Sequence, residues 1–261
     1  MTEDRQQYLK KKQFFQQLLT IYGRKPVLEA LQNPQVRIYK LHLADSNRRD
    51  GIVKEIVDAA EREGIEVAWH ERRALSRISK NGKQDQGVAA DLQLKAYRPC
   101  SDIPASRDPH TRRIYIALDG VNNPQNLGMI IRSVAASGID GLILPKKGCA
   151  ALSPLVIKAS AGALFNCPIF HCDTLQPELQ RLQKAGVEIA CLSSHAKQSL
   201  FESQSDTSRV YVLGNETEGV SPATQAMSDC ALQIPMANGV ESLNVAVTAA
   251  LLAFSHNRAG A

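Results

Sequence analysis

The second half of the chain repeats one pattern, in which a short apolar segment is followed by a stretch of helix length. Six apolar segments are strand candidates, at 114–118, 141–144, 168–170, 187–192, 210–213 and 231–234. Apolar strands separated by helices are typical of a parallel sheet, because each parallel connection needs a long crossover and the crossover helices cover both faces. The sequence therefore predicts an α/β fold with a mostly parallel sheet and helices on both faces.

The first part of the chain predicts a smaller α/β domain. Helix candidates lie at 27–31, 52–63 and 74–78, and strand candidates at 36–43, 65–69 and 88–94. Residues 3–20 have the pattern of a basic helix, whereas 96–112 hold three prolines and no apolar periodicity, which is typical of a linker. We therefore predict a basic helical extension at 1–20, a small α/β domain at 21–95, a linker at 96–112 and the larger domain at 113–261.

The positive charge of the chain is concentrated in its first part. Residues 1–112 hold 21 basic and 15 acidic side chains, a net charge of +6, whereas 113–261 hold 10 and 11, a net charge of −1. Basic surfaces gain affinity for nucleic acids by releasing counterions from phosphates. A charge of this size is also compatible with ordinary solubility, so charge alone leaves nucleic-acid binding open.

Cysteine and histidine spacing gives no sign of a metal site. The six cysteines never form a pair spaced by two residues, and the six histidines are scattered. We expect no zinc site and no disulfides. The first residues are polar and no apolar run approaches the ~20 residues that cross a bilayer. A reduced, cytoplasmic protein that does not bind membranes is therefore expected.

The last predicted helix, 244–256, is apolar nearly all round. Between its end residues only Thr248 and Ser255 are polar. A helix of this kind must be covered on more than one side. Because the domain is small, we expect a second copy of the chain to provide part of that cover, and hence a homodimer.

Polar clusters follow three of the predicted strands, at the positions where α/β proteins bind ligands. Asn126 and Arg132 lie in LDGVNNPQNLGMIIRSVAASGIDGLIL (118–144), Glu216 in GNETEGVSP (214–222), and Ser242 and Asn244 in IPMANGVESLNVAV (234–247). Each side chain also has a structural interpretation taken alone. Asn126 could cap a helix, Arg132 and Glu216 could be surface charges, and Ser242 and Asn244 could cap the following helix.

Taken together, the three clusters resemble the three motifs of the SpoU (TrmH-like) family of RNA ribose 2'-O-methyltransferases, within the SPOUT superfamily. The resemblance covers residues 114–258. In addition, IYGRKPVLEAL (21–31) and QGVAA (86–90) resemble the small substrate-binding domain, similar to ribosomal RNA-binding proteins, that precedes the catalytic domain in many members. The resemblance implies a trefoil knot at the carboxyl end and S-adenosylmethionine as the methyl donor.

The resemblance also implies roles for individual residues. Backbone groups of Gly214, Ile234 and Leu243 would line the cofactor site. The catalytic residues of the family map to Asn126, Arg132, Glu216, Ser242 and Asn244. Family proposals let the arginine deprotonate the ribose hydroxyl, but a guanidinium keeps its proton. We therefore expect Arg132 to bind the neighbouring phosphate and stabilise the developing alkoxide, with the base left open.

Two positions depart from the family pattern. Thr217 replaces a glycine that commonly follows the glutamate, and β-branched residues tolerate positive φ poorly. Ala246 stands where the third motif often has serine. Both departures concern the geometry of the loops and hence cofactor affinity.

Several alternatives remain at this point. The target is expected to be a guanosine of large-subunit (23S) ribosomal RNA, although transfer RNA enzymes share every motif quoted. A noncatalytic RNA-binding dimer is a second interpretation, and a nucleotide-dependent enzyme is disfavoured because G-x-G-x-x-G and G-K-[ST] loops are missing from the sequence. For RNA binding we expect a group of cations in the first domain, namely Arg72, Arg73, Arg77, Lys80 and Lys83.

Overall fold

The structure is a computed structural model that describes residues 14, 18–34, 36–94, 96–104, 112–203 and 205–256. The chain divides into two compact units, one of residues 1–97 with 152–158 and the other of residues 98–151 with 159–261. Most of the predicted basic helix, and 105–111 of the predicted linker, lie outside the described residues.

The first unit contains a four-stranded sheet with the order β1-β4-β2-β3. Its elements are β1 (Leu18–Tyr22), α1 (Arg24–Gln32), β2 (Arg37–Ala44), α2 (Gly51–Arg62), β3 (Glu66–His70), α3 (Arg72–Ser79) and β4 (Val88–Gln93). β4 is antiparallel to β1 and β2, and β2 is parallel to β3. Since β1, β2 and β3 run in the same direction, the loops that follow them meet at one edge of the sheet.

Strand β1 lies where the sequence predicts the end of a helix. Leu18 pairs with Gln93 and Tyr22 with Ala89, and Ile21 is fully buried. The β-branched and aromatic residues of this segment favour a strand. Its partner β4 is distant in sequence, so local periodicity does not reveal the pairing.

An eight-stranded sheet forms the core of the second unit. Its strands are β5 (Tyr97–Pro99), β6 (Ile114–Asp119), β7 (Gly141–Pro145), β8 (Ile169–Cys172), β9 (Glu188–Leu192), β10 (Gln198–Ser199), β11 (Arg209–Gly214) and β12 (Cys230–Gln233). The helices are α4 (Pro124–Ser137), α5 (Pro154–Ala159), α6 (Leu175–Lys184), α7 (Pro222–Met227) and α8 (Val245–Ser255). All of α5 except its last residue, and Tyr97 of β5, belong to the first unit.

The strand order is β10-β12-β9-β11-β6-β7-β8-β5, and every neighbouring pair from β10 to β8 is parallel. β6, β7, β8 and β11 are buried along nearly their whole length, which requires cover on both faces. Three leucines of α6, at 175, 179 and 182, pack with Tyr115 and Ala117 of β6, while α4 and α8 pack against each other. The predicted fold class is confirmed; the carboxyl-terminal knot stays a prediction.

Part of the predicted linker is ordered structure. Tyr97–Pro99 form the edge strand β5, where proline is tolerated because no partner needs its missing N–H. Cys100 and Ile103 are buried in the core of the second unit. Residues 97–103 of the predicted linker are therefore an edge strand followed by a short packed segment, although they lack apolar periodicity. Within the described residues, no helix has the length and apolar character to cross a membrane.

Candidate active site

Helix α4 begins at a capped turn after β6. Asn123 is its N-cap, and the Asn123 Oδ1 accepts hydrogen bonds from the backbone N–H groups of Gln125 (2.8 Å) and Asn126 (3.4 Å). Pro124 occupies the first helical position, which needs no donor. Asn126 is therefore inside the helix, 6% exposed, and the interpretation of Asn126 as the cap is wrong.

The Asn126 side chain joins the three motifs. Its Nδ2 donates to Glu216 Oε1, and its Oδ1 accepts from Asn244 Nδ2 at 3.1 Å. An ionised carboxylate only accepts hydrogen bonds, so the orientations of both amides follow from Glu216. Residues separated by 90 and 118 positions along the chain thus form one hydrogen-bonded chain.

Asn244 completes this chain and also begins α8. Its Oδ1 accepts from the backbone N–H of Ala246 at 2.8 Å, which makes it the N-cap. The prediction that Asn244 caps the helix is correct. The cap uses only the Oδ1 atom of Asn244, so its Nδ2 group can donate to Asn126. Ala246 takes part through its backbone, so this contact does not need the serine of the family pattern. Ser242 is exposed and forms no hydrogen bond with the described residues.

The loop that carries Glu216 is a tight turn after β11. Gly219 has φ +72°, and Thr217 is not among the residues with positive φ. The strain that the sequence suggests for Thr217 is therefore not found. A Cβ on Gly214 would lie 2.0 Å from the backbone carbon of Gly219, so the glycine is needed because the loop returns against it.

Arg132 is exposed and forms no hydrogen bond with Asn126, Glu216 or Asn244. It follows Asn126 by six residues, so the two side chains are about 120° apart around the axis of α4. It forms no ion pair with the described residues. Met129, one turn earlier on the same side of the helix, is also exposed. Hydrogen bonds thus join Asn126, Glu216 and Asn244, but none within the described residues joins them to Arg132 or Ser242.

The residues assigned to the cofactor fit an adenosyl ligand. Gly214 and Ile234 lie at the carboxyl ends of β11 and β12, which share β9 as a neighbour. Within the described residues, the segment 234–243 forms a single backbone hydrogen bond, from Val240 N to Ala237 O. Its other main-chain groups are available to a ligand, and Leu243 offers an exposed apolar side chain.

Cysteines near these loops are poor candidates for nucleophiles. Burial raises the pKa of the Cys149 and Cys191 thiols, and a protonated thiol is a weak nucleophile. No group of three or more His, Cys, Asp or Glu side chains in the described ranges is arranged to hold a metal ion.

The predicted RNA-binding cations lie on and after α3 in the first unit. Arg72 donates to the buried Asp85 and to the carbonyl of Gly82 at 2.7 Å, so it holds the turn that precedes β4. The other four are exposed and form no ion pair with described residues, namely Arg73, Arg77, Lys80 and Lys83.

Two residues next to the predicted site were not singled out by sequence reasoning. Asn215 bonds to Gly120 O at 2.9 Å, and Asp119 accepts from Ser221 Oγ at 2.6 Å. Both lie inside the motifs quoted above, beside strand ends. A polar side chain directly after an apolar strand is the signal that could have identified them.

Two family patterns match this chain. Residues 113–254 match the SpoU rRNA Methylase family, and residues 20–98 match the RNA 2'-O ribose methyltransferase substrate binding domain. YacO of Bacillus subtilis, assigned to the TrmH family of tRNA/rRNA methyltransferases, is 28% identical over 235 residues, which cover 90% of this chain and 93% of YacO.

Solved structures of RNA methyltransferases share the fold of this chain. A TrmH family RNA methyltransferase from Porphyromonas gingivalis is 26% identical with a TM-score of 0.62, covering 100% of this chain and 99% of its own. The rRNA methyltransferase from Sinorhizobium meliloti, crystallised with bound AdoMet, has a TM-score of 0.64 at 24% identity and covers 97% of this chain and 91% of its own.

Proposed function

The chain belongs to the SpoU family of RNA methyltransferases, and from that premise we propose that it methylates the ribose 2'-hydroxyl of a guanosine in large-subunit (23S) ribosomal RNA. The protein is an S-adenosylmethionine-dependent RNA 2'-O-ribose methyltransferase. The observation that carries the site assignment is the hydrogen-bonded chain from Asn244 through Asn126 to Glu216. The match of residues 113–254 to the SpoU rRNA Methylase family, together with a substrate-binding match over 20–98, supports ribosomal RNA.

The proposed site acts mainly by orientation. When bound, S-adenosylmethionine supplies the methyl group, and Gly214, Ile234 and Leu243 would hold it through backbone groups and an apolar wall. Holding the ribose oxygen in line for attack could contribute up to ~7–11 kcal/mol. Asn126 and Asn244 are already fixed in direction, and Glu216 Oε2 accepts no hydrogen bond from the described residues. That oxygen is available to the ribose hydroxyl or to a guanidinium.

Arg132 is proposed to bind the phosphate beside the target ribose and to stabilise the alkoxide that forms as the hydroxyl loses its proton. A guanidinium suits both roles, because it stays charged and offers several donors in one plane. Its exposure and lack of a partner within the described residues leave it available for this contact. Ser242, also exposed, is proposed as a small hydroxyl partner of the RNA.

A homodimer is proposed from the uncovered side of α8. Val247, Leu251 and Phe254 are 47%, 39% and 47% exposed, whereas Ala249 and Leu252 on the opposite side are fully buried. Three large apolar side chains at helical spacing on one exposed face mark an interaction surface. A second copy presents the same face, so two copies can cover each other's apolar side chains.

The RNA is proposed to contact the first unit at the edge where β1, β2 and β3 end. Basic side chains follow each of these strands, at the start of α1 (Arg24 and Lys25), in the loop after β2 (Arg48 and Arg49) and at the start of α3 (Arg72 and Arg73). Arg49 also stacks over Trp69, 5.2 Å from its ring centroid. Clustered cations beside an aromatic ring are typical of surfaces that bind phosphates and unpaired bases. Lys80 and Lys83 follow α3 and extend the charge.

The target assignment is tested by mapping ribose methylation across ribosomal and transfer RNA in cells with and without the gene. The proposal predicts loss of one 2'-O-methylguanosine in large-subunit ribosomal RNA. If a methylated ribose were lost from transfer RNA instead, the proposed reaction would stand and the proposed ribosomal target would be wrong. An unchanged map, together with no S-adenosylmethionine binding in calorimetry, would favour a noncatalytic RNA-binding dimer.

A further inference from the structure

The loop around Glu216 is closed at its base. The backbone N–H of Asn215 donates to Gly219 O at 2.9 Å, and the N–H of Gly219 donates back to Asn215 O at 2.9 Å. The chain then returns so closely against Gly214 that a Cβ there would meet Val220 N at 2.1 Å. Glu216 therefore lies on a short turn whose ends are joined, and the placement of this turn decides where its carboxylate lies.

The Asn215 side chain connects this turn to the end of β6. Its Nδ2 donates to Gly120 O at 2.9 Å. Its Oδ1 accepts from the backbone N–H groups of Thr217 at 2.8 Å and Glu218 at 3.3 Å. The Asn215 amide thus bonds to the two residues that follow Glu216 and fastens the turn to the end of a neighbouring strand.

A second contact holds the other end of the loop to the same place. Asp119 Oδ2 accepts from Ser221 N at 3.0 Å and from Ser221 Oγ at 2.6 Å. Asp119 and Gly120 are consecutive, and the chain continues from them into α4 with Asn126. The Glu216 turn and the Asn126 helix therefore share one base at the end of β6.

We infer that Asn215 is a positioning residue for methyl transfer, which acts by holding Glu216 at Asn126 through its bond to Gly120, with Asp119 and Ser221 as the second fastening. The inference rests on the proposed role of Glu216. Both ends of the Asn215 amide are occupied, since its Nδ2 donates to Gly120 O and its Oδ1 accepts from the N–H groups of Thr217 and Glu218. Its loss should therefore lower the rate of methyl transfer and leave the binding of RNA and cofactor nearly unchanged.

The sharpest variant is Asn215→Ser. A serine hydroxyl can still accept the N–H of Thr217, as in a serine turn, but it cannot donate to Gly120 O. We expect kcat for RNA methylation to fall about tenfold, the effect of losing one well-aimed hydrogen bond, while KM for RNA and Kd for S-adenosylmethionine change less than twofold. Asn166→Ser is the matched control, because Asn166 is exposed and has no described side-chain hydrogen bond; it should leave kcat unchanged.

A double-mutant cycle with Glu216→Ala decides whether Asn215 acts through Glu216. Glu216→Ala alone should lower kcat strongly, and adding Asn215→Ser should then change kcat less than twofold. If Glu216→Ala lowers kcat but Asn215→Ser lowers it a further tenfold, only the positioning role is overturned. If Glu216→Ala leaves kcat intact, the proposed site fails and this inference with it. Unaltered kcat in Asn215→Ser alone would also overturn it.

Discussion

Asn244 donates a 3.1 Å hydrogen bond to Asn126, a residue 118 positions earlier in the chain. The bond joins the residue that caps α8 to a buried amide of α4, and the two helices pack together. The same side chains thus serve the fold and the proposed chemistry, so variants at the two positions should separate these contributions.

Replacement of Asn126 by alanine should affect catalysis more than stability. The variant leaves the exposed Glu216 and Asn244 without a shared partner, and one oriented polar group of this kind contributes about 3–4 kcal/mol in the transition state. Asn244→Ala should lower kcat as well and also destabilise the fold by about 1 kcal/mol through loss of the cap. Single-turnover methylation and chemical denaturation measure the two effects. If both variants lost equal free energy of unfolding and kept the wild-type kcat, neither residue would take part in methyl transfer.

Arg132 variants should distinguish charge from shape. Arg132→Lys keeps the positive charge but loses the planar pair of donors, so it should retain a low activity, while Arg132→Ala should fall at least tenfold lower. Both variants should unfold at the wild-type denaturant concentration, since Arg132 is exposed without a partner in the described ranges. If the two variants were equally inactive, charge stabilisation would be an inadequate account.

RNA binding should depend on the exposed cations of the first unit. Reversing Arg73 and Arg77 to glutamate should weaken RNA binding and make its dependence on salt shallower by about one unit of log–log slope per lost phosphate contact. Arg72→Ala should instead lower stability, because it leaves the buried Asp85 without its ion pair. Fluorescence titrations at several salt concentrations provide the test. An unchanged slope in the Arg73 and Arg77 variant would place the contact elsewhere.

The dimer should depend on the exposed side of α8. Leu251→Lys and Phe254→Lys place charges on that face and should shift the protein to monomers in sedimentation at micromolar concentration. Phe201→Lys is the control, since Phe201 is 58% exposed and lies in a different segment. A wild-type protein that sediments as a monomer would refute the dimer directly.

Stability should fall in acid through the pair formed by Glu188 and Arg209. Burial alone would raise the pKa of Glu188, but hydrogen bonds from Arg209 outweigh it and the pKa lies below its ordinary value of 4.5. A depressed pKa stabilises the fold above the unfolded value, and that stability is lost as pH falls through the folded value. Glu188→Gln should cost about 3 kcal/mol at pH 7, because Arg209 stays buried.

The measurement is the free energy of unfolding from pH 7 down to pH 3. The difference between wild type and Glu188→Gln should be constant above pH 5 and shrink below about 4.5. A difference that does not change over this range would show that the carboxylate charge contributes nothing.

The parallel sheet and the three motifs could be predicted because both are local signals, namely apolar strands and polar residues at their ends. The sequence predicts a helix up to residue 20, where the structure has a strand from Leu18, because the pairing of that strand with β4 is long-range. The role of Asn123 as the cap of α4 was also missed, since Asn123 and Asn126 are equally plausible caps from sequence. The contacts of Asn215 depend on the adjacency of β6 and β11, which no local pattern reveals.

The most direct test of the central claim is nucleoside mass spectrometry of ribosomal RNA methylated in vitro by the purified protein and S-adenosylmethionine. The account predicts 2'-O-methylguanosine with the wild type and at least a tenfold lower yield with Asn126→Ala. A methyl group on the base, or an equal yield from the variant, would contradict it.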